Sequence, residues 1–408
     1  MKAFRCVRPK VELASRVAAL PYDVYNRIEA KEVAGKDDIS FLNIDRPETQ
    51  FEYDIDMYSE TVYQKAKQLY DERLADGTFI KDKQRCFYIY ELIMNERSQT
   101  GIVGCALIDD YCNNVIKKHE NTREEKEKDR ICHVDTVSAQ TGPIFLAYRS
   151  NEVLRRIVEA KKEESMLYDF TSEDGIIHHV WKIEHKEDIT KIEEEFANIS
   201  QIYIADGHHR AASAVKVGLK RRNESVHYTG LEEFNYFLSV LFPEDQLMIM
   251  PYNRVVRDLN GYSMEEFLEK LNDKFMITKS LDPISPSKKC TFGMYLNQQW
   301  YQLEAKESLC NITDPVKSLD VSILQDYVLE PVLGIKDPRT DRRIDFIGGI
   351  RGLEELEKRV AEDMAVAFSM YPTSIQELFA VADANQLMPP KSTWFEPKLR
   401  SGLFIHEI

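Results

Sequence analysis

The segment 201-QIYIADGHHRAASAVKVGLKRR-222 predicts a strand that turns directly into a helix. An apolar run ends at Asp206, Gly207 permits a tight turn, and helical apolar spacing follows. The corner carries a carboxylate, two adjacent histidines and an arginine, although the chain has only nine histidines. Such a corner is a candidate anion site, because the first N–H groups of a helix are free and its N-terminus is partially positive.

Each residue of the corner suggests a role. Gly207 lets the backbone approach a ligand, and His208, His209 and Arg210 are donors suited to phosphate oxygens. Asp206, at the end of the strand, is placed to bind a divalent cation or to orient a nucleophile. A structural interpretation stays open at this point, with Asp206 as a helix N-cap and the histidines on the surface.

Composition excludes several classes of protein. The chain has 408 residues, which favours two domains or one elaborated domain. A net charge of -15 argues against a general binder of nucleic acid or acidic membranes. The opening MKAFRCVRPK lacks the apolar core of a signal peptide, and the seven cysteines form no CxxC pair. We therefore expect a soluble cytoplasmic protein with no nucleic-acid or membrane partner; its oligomeric state stays open.

The rest of the chain predicts a mixed architecture. Strand and helix patterns interleave irregularly and include hairpins, as in residues 85–111, which favours an α+β or mixed α/β fold. No clear linker is visible. The division used here places an N-terminal α/β region at 1–110, a core at 111–255 and a C-terminal α/β region at 256–408.

A second polar motif, HENTR at 119–123, lies in the charged run 117–130. The motif is not the zinc-binding HExxH, because its fifth residue is Arg123. On its own it is also compatible with an ordinary solvated helix start.

HENTR followed by a strand and DGHHR resembles the ParB/sulfiredoxin-like superfamily, and within it the free L-serine kinases. The resemblance implies a core of that fold at 111–255 with large N- and C-terminal elaborations. It implies that Glu120 is the general base for the serine hydroxyl and that Asp206 is a second acidic residue, catalytic or associated with Mg²⁺. It further implies that Gly207 to Arg210 bind the donor phosphates.

The full chain also resembles a widespread bacterial family catalogued as a domain of unknown function. The matching pieces are ALPYDV at 19–24, HENTR, TGPIF at 141–145, ADGHHR at 205–210, LDVSILQDYVLEPVLGI at 319–335 and MPPKSTWFEPKLRSGL at 388–403. More than eighty residues separate Glu120 from Asp206, so this chain must accommodate an insertion between the two motifs.

The resemblance implies transfer of a phosphoryl group from ATP, ADP or pyrophosphate to L-serine, giving O-phospho-L-serine. The sequence has neither a GxxxxGK[ST] loop nor the HRD and DFG motifs of protein kinases, so it does not select the donor. The alternative is a ParB-like nucleotide-binding regulatory module without kinase activity. Sulfiredoxin-like repair would need a cysteine in the phosphate loop, where this chain has histidines.

Further candidates for substrate or phosphate contacts lie outside the corner. His119 and Arg123 flank the HENTR glutamate. The segment 388–403 supplies Lys391, Ser392, Thr393 and Lys398, although a structural clasp explains this segment equally well. In ALPYDV, Asp23 is either an N-cap or a contact for the substrate amine.

Overall fold

The computed structural model describes residues 1–408. Its contacts divide the chain into two compact units, one formed by Met1–Leu247 with Pro397–Ile408 and the other by Met248–Glu396. The sequence-based division placed boundaries at 110/111 and 255/256 instead. The first of those positions lies within one unit, because strands on both sides of it pair in the same sheet.

Twenty strands are present. They are β1 Val7–Pro9, β2 Phe79–Lys81, β3 Phe87–Met94, β4 Arg97–Leu107, β5 Ile116–Lys117, β6 Ala139–Gln140, β7 Ile144–Tyr148, β8 Tyr168–Thr171, β9 Ile177–Ile183, β10 Ile202–Asp206, β11 Tyr236–Pro243, β12 Ile249–Met250, β13 Tyr252–Val256, β14 Phe275–Ser280, β15 Thr291–Leu296, β16 Gln299–Ala305, β17 Ile344–Gly348, β18 Val366–Ser369, β19 Trp394–Phe395 and β20 His406–Glu407.

Fourteen α-helices accompany them. They are α1 Ala14–Val17, α2 Arg27–Ala34, α3 Leu42–Asp45, α4 Glu60–Ala75, α5 Ile108–Cys112, α6 Glu124–Val137, α7 Glu152–Lys162, α8 Lys186–Asn198, α9 His208–Glu224, α10 Met264–Asn272, α11 Glu307–Cys310, α12 Asp320–Leu324, α13 Glu354–Glu362 and α14 Ile375–Asp383. None of them combines the length and the apolar character needed to cross a membrane.

The first unit is built on an eight-stranded sheet in the order β5-β10-β7-β11-β4-β3-β9-β8. Two neighbouring pairs, β5 with β10 and β7 with β11, are parallel, and the other pairs are antiparallel. Strand β7 is buried along its whole length, as its uninterrupted apolar sequence IFLAY requires. The mixed α/β character predicted from the sequence is confirmed.

Helix α9 packs on this sheet through small side chains. Ala211, Ala214 and Val215 recur at helical spacing and belong to the same core cluster as Leu146 of β7 and Ile204 of β10. Short side chains let the helix lie close to the strands. The start of α9 is therefore fixed relative to the ends of the neighbouring strands.

The second unit has its own six-stranded antiparallel sheet, in the order β14-β16-β15-β18-β13-β17. One of its hydrophobic clusters joins Val255, Trp300, Ile347 and Leu356. It also contains the short pair β12 with β19, in which Met250 lies opposite Trp394.

The apolar spacing of residues 54–75 predicts a helix. The structure confirms this helix with a later start, since α4 begins at Glu60. The preceding Asp56 accepts the N–H of Tyr58, a local side-chain bond that competes with helix formation. In β9 the two histidines face opposite sides: buried His178 contacts the Tyr90 hydroxyl, and His179 contacts Glu91.

Candidate functional site

The two polar motifs meet at one edge of the eight-stranded sheet. HENTR follows β5, and DGHHR begins at Asp206, the last residue of β10. The two strands run parallel, with Ile116 opposite Ile202 and Lys117 opposite Tyr203. The carboxyl ends of parallel neighbours lie side by side. Sheet pairing therefore joins motifs that are more than eighty residues apart in sequence.

The turn between β10 and α9 requires glycine. Gly207 has φ +91°, and a Cβ added there would lie 3.2 Å from the guanidinium of Arg210. Gly207 itself is the N-cap of α9, and its N–H donates to Oδ1 of Asp206 at 2.9 Å. The interpretation of Asp206 as the helix N-cap is therefore wrong, because its carboxylate accepts the N–H of Gly207 and not an N–H from the first turn of α9.

Asp206 is held as a carboxylate by two cations. Nζ of Lys398 lies 3.2 Å from its Oδ2, and Nη2 of Arg210 lies 3.8 Å from the same oxygen. Burial alone would raise the pKa of Asp206, but the charges of Lys398 and Arg210 outweigh it and hold the pKa below its ordinary value. Asp206 is therefore ionised at neutral pH.

Arg210 is fixed at a second point. Its Nη1 donates to the backbone carbonyl of Pro143 at 2.6 Å, in the TGPIF segment just before β7. A Cβ at Gly142 would approach that same nitrogen to 3.5 Å. The guanidinium is thus positioned before any ligand arrives, which lowers the entropy lost on binding an anion.

Two histidines form a buried pair beside the carboxylate. The rings of His119 and His208 lie 4.4 Å apart, centroid to centroid, and nearly perpendicular. Burial lowers the pKa of His119 to about 4, and it lowers that of His208 well below its ordinary value. Both rings are neutral at pH 7, and the expectation of surface histidines is wrong for His208, which is 6% exposed.

Glu120 reaches this corner from the HENTR loop. Its Oε2 lies 3.9 Å from Nδ1 of His208, too far for a hydrogen bond, and its side chain is 41% exposed. The two ring atoms without a protein partner, Nδ1 of His119 and Nε2 of His208, lie in the same cluster. The arrangement combines an accessible carboxylate with neutral hydrogen-bonding groups.

His209 is used differently from its neighbour. Its Nε2 accepts the backbone N–H of Arg123 at 2.9 Å, and Arg123 is the N-cap of α6. Because Nε2 accepts, the ring proton of the neutral form lies on Nδ1. His209 therefore fastens the HENTR loop to α9, and only Nδ1 is left to donate to a phosphate.

The fit to a magnesium ion is partial. No three His, Cys, Asp or Glu side chains are grouped as metal ligands. Mg²⁺ commonly takes one or two carboxylates and completes its shell with water and phosphate oxygens. In Asp206, Oδ1 accepts from Gly207 and Oδ2 lies against Lys398, so this residue offers an ion one oxygen at most.

Comparison with known proteins gives the family. The family model described as "Protein of unknown function (DUF1015)" matches residues 1–322. The chain belongs to this DUF1015 family. No curated protein matches the sequence significantly.

Solved structures resemble this DUF1015 chain only distantly. A free serine kinase in complex with AMP is 13% identical with a TM-score of 0.35, over 72% of this chain and 86% of that one. SbnI with a C-terminal truncation, from Staphylococcus aureus, is 11% identical with a TM-score of 0.39, over 72% and 82%. A conserved hypothetical protein from Pyrococcus furiosus is 12% identical with a TM-score of 0.35, over 73% and 93%.

The C-terminal candidates separate into two groups in this DUF1015 protein. Lys398 belongs to the first unit and contacts Asp206. Lys391, Ser392 and Thr393 belong to the second unit, where the Ser392 hydroxyl donates to the Pro389 carbonyl. A ligand role for these three residues stays a prediction.

Sequence reasoning did not assign a role to TGPIF or to helix α6. Pro143 supplies the carbonyl that fixes Arg210, and Arg130 of α6 lies over the ring of Tyr22 at 4.1 Å. The available signal was the glycine of TGPIF, because a glycine before a buried strand indicates a close approach at that point. Nothing in the local pattern around Arg130 distinguishes it from the other charges of 117–130.

Proposed function

We propose that this protein is a small-molecule phosphotransferase that phosphorylates the hydroxyl of free L-serine. The observation that carries the proposal is the placement of the Glu120 carboxylate beside the anion-binding corner formed by Gly207 and Arg210. A carboxylate base next to preorganised cations is a sufficient set for phosphoryl transfer, which needs mainly positioning and charge neutralisation.

The chain's residues divide the work as follows. Glu120 accepts the proton of the serine hydroxyl as its oxygen bonds to phosphorus. The bond from phosphorus to the leaving oxygen breaks, and the leaving group keeps the electron pair. Arg210, Lys398 and the N–H groups at the start of α9 neutralise charge on the phosphoryl oxygens. A bound Mg²⁺ would add charge neutralisation between the phosphates.

The neutral histidines suit this chemistry. Since burial keeps His208 and His119 uncharged, neither competes with Lys398 for the Asp206 carboxylate. Nε2 of His208 has no protein partner, so hydrogen-bonding capacity remains at the corner. The uncharged ring of His208 next to Glu120 adds no positive charge of its own that would weaken that carboxylate as a base.

Two parts of the proposal rest on the motif resemblance. The choice of L-serine and the ParB/sulfiredoxin-like core both come from HENTR and DGHHR in their order and setting. The phosphoryl donor is ATP, ADP or pyrophosphate, and the corner is compatible with all three because its residues would contact only the phosphate groups that the three donors share.

A ³¹P NMR assay tests the proposal. The protein is incubated with L-serine, Mg²⁺ and each donor in turn, and we expect an O-phospho-L-serine resonance with at least one donor. Absence of that product with every donor, while ATP or ADP binds in calorimetry, would favour the regulatory nucleotide-binding module instead.

A further inference from the structure

A cleft of about 150 Å³ lies next to the anion-binding corner. One wall is a face of α6, where Lys126, Asp129 and Arg130 recur at helical spacing. The cleft is also lined by Tyr22 and Asp23 of ALPYDV. Its volume is well below the ~300–1,000 Å³ of pockets for drug-sized ligands. The cleft therefore suits a molecule of few heavy atoms and not a nucleotide.

Most of the charges around the cleft are already paired. Nε of Arg130 donates to Oδ2 of Asp129 at 2.9 Å, and the Tyr63 hydroxyl donates to the other oxygen at 2.9 Å. Nε of Arg46 donates to Glu48 at 2.6 Å. These pairs make the walls rigid and leave their net charge near zero.

Asp23 stands outside these pairs. Its carboxylate is exposed, and no hydrogen bond or ion pair involves it. It is not an N-cap, because the N-cap of α2 is Asn26, which forms a complete capping box with Glu29. Arg46 holds the loop around it by donating Nη1 to the backbone carbonyls of Tyr22 and Tyr25 at 2.8 and 2.9 Å. A rigid loop thus presents an uncommitted carboxylate to the cleft.

The cleft borders the corner at two points. Tyr22 lines both this cleft and a smaller cavity against Arg210. Burial lowers the pKa of His209, the charge of Lys126 lowers it further, and the charge of Asp23 raises it. Both charged side chains therefore lie near the start of α9. A small molecule in the cleft would therefore lie near the start of α9.

We infer that this cleft is the site of the acceptor, a small zwitterionic α-amino acid, with its ammonium group on Asp23 and its carboxylate toward Lys126. The inference rests on the proposed function, which supplies the need for an acceptor beside the corner. Asp23 and Lys126 line the same cleft and supply opposite charges, which match the two charges of an amino acid backbone, and serine is small enough for the volume of the cleft.

The experiment measures L-serine binding by saturation-transfer NMR, and KM and kcat wherever turnover occurs. Asp23→Asn is compared with Asp38→Asn, an exposed carboxylate of the same unit. We expect Asp23→Asn to weaken L-serine binding about ten- to hundredfold with kcat nearly unchanged, the size of one lost charge-assisted contact. Asp38→Asn should behave as wild type.

Two analogues locate the contacts. Glycerate lacks the ammonium group, so its weak binding should not respond to Asp23→Asn, and ethanolamine lacks the carboxylate, so it should not respond to Lys126→Met. Circular dichroism checks that each variant is folded. If L-serine is phosphorylated but its KM is the same in Asp23→Asn and Lys126→Met as in wild type, the cleft assignment is wrong and the function stands. If no phosphoserine forms, binding still decides: L-serine that binds wild type but not Asp23→Asn supports the cleft, and L-serine that fails to bind wild type overturns it.

Discussion

Oε2 of Glu120 lies 3.9 Å from Nδ1 of His208. This contact is between the HENTR loop after β5 and the start of α9. The two segments lie close together because β5 and β10 are parallel neighbours in the sheet. Because His208 is buried and neutral, the contact is not an ion pair. The Glu120 carboxylate therefore lies beside the start of α9, next to an uncharged ring.

Replacement of Lys398 tests the electrostatics of the corner. Lys398→Met removes the cation 3.2 Å from Asp206, so the pKa of Asp206 should rise. The pKa of Asp206 is lower in the folded protein than in the unfolded chain. The ion pair with Lys398 therefore contributes to folding stability at pH values above the unfolded-state pKa, and this contribution is lost as pH falls through the folded-state pKa. We expect the acid limb of the pH–rate profile to move to higher pH and kcat/KM at pH 7 to fall about tenfold or more.

The control for that substitution is Lys191→Met, which removes an exposed lysine of α8 in the same unit. Its pH–rate profile should match wild type. An unchanged acid limb in Lys398→Met would show that Asp206 does not titrate in the rate-limiting step.

Two glycine substitutions separate backbone strain from ligand positioning. Gly207 and Gly175 both have positive φ, +91° and +78°, so alanine should cost about 1 to 2 kcal/mol at either position. Only at Gly207 does the added methyl group meet Arg210. Thermal unfolding should report similar losses, whereas phosphate binding measured by calorimetry should weaken in Gly207→Ala alone. Equal phosphate affinity in the two variants would contradict the role given to Arg210.

A buried carboxyl in the second unit predicts a pH-dependent stability. Burial raises the pKa of Asp320 to about 7, and both of its oxygens accept the N–H of Cys290, at 3.0 and 3.1 Å. Because the folded state binds this proton more tightly than the unfolded state, stability should fall as pH rises from about 4 to 7. The expected loss is about 2 to 4 kcal/mol.

Calorimetric unfolding checks this with Asp320→Asn, whose amide oxygen can still accept from Cys290. The variant should lack that component of the pH dependence and be more stable than wild type at pH 8. Asp282→Asn, an exposed carboxylate of the same unit, serves as the control. If the free energy of unfolding depends on pH identically in wild type and Asp320→Asn, Asp320 is not the source of that dependence.

The local corner was predictable, because it depends on neighbouring residues. The strand ending at Asp206, the turn at Gly207 and the helix from His208 follow from apolar spacing and the freedom of glycine. The pairing of β5 with β10 was not, because β5 has two residues and its partner lies far along the chain. A strand this short gives no periodicity to detect.

The residues that surround the corner could not be predicted from local sequence patterns either. Lys398 contacts Asp206 because residues 397–408, which follow the second unit in the sequence, belong to the first unit. The cleft beside the corner is assembled from a loop near Tyr22, a turn near Arg46 and one face of α6. Only tertiary packing brings these segments together.

The most direct test of the central claim compares wild type with Glu120→Gln in the ³¹P NMR assay, with Glu124→Gln, an exposed glutamate of α6, as control. Wild type and Glu124→Gln should form O-phospho-L-serine. Glu120→Gln should lose at least about a hundredfold in rate, the usual contribution of a positioned general base, while its affinity for the phosphoryl donor stays within about twofold. Full turnover in Glu120→Gln would contradict the assignment of Glu120 as the base and, with it, the proposed mechanism.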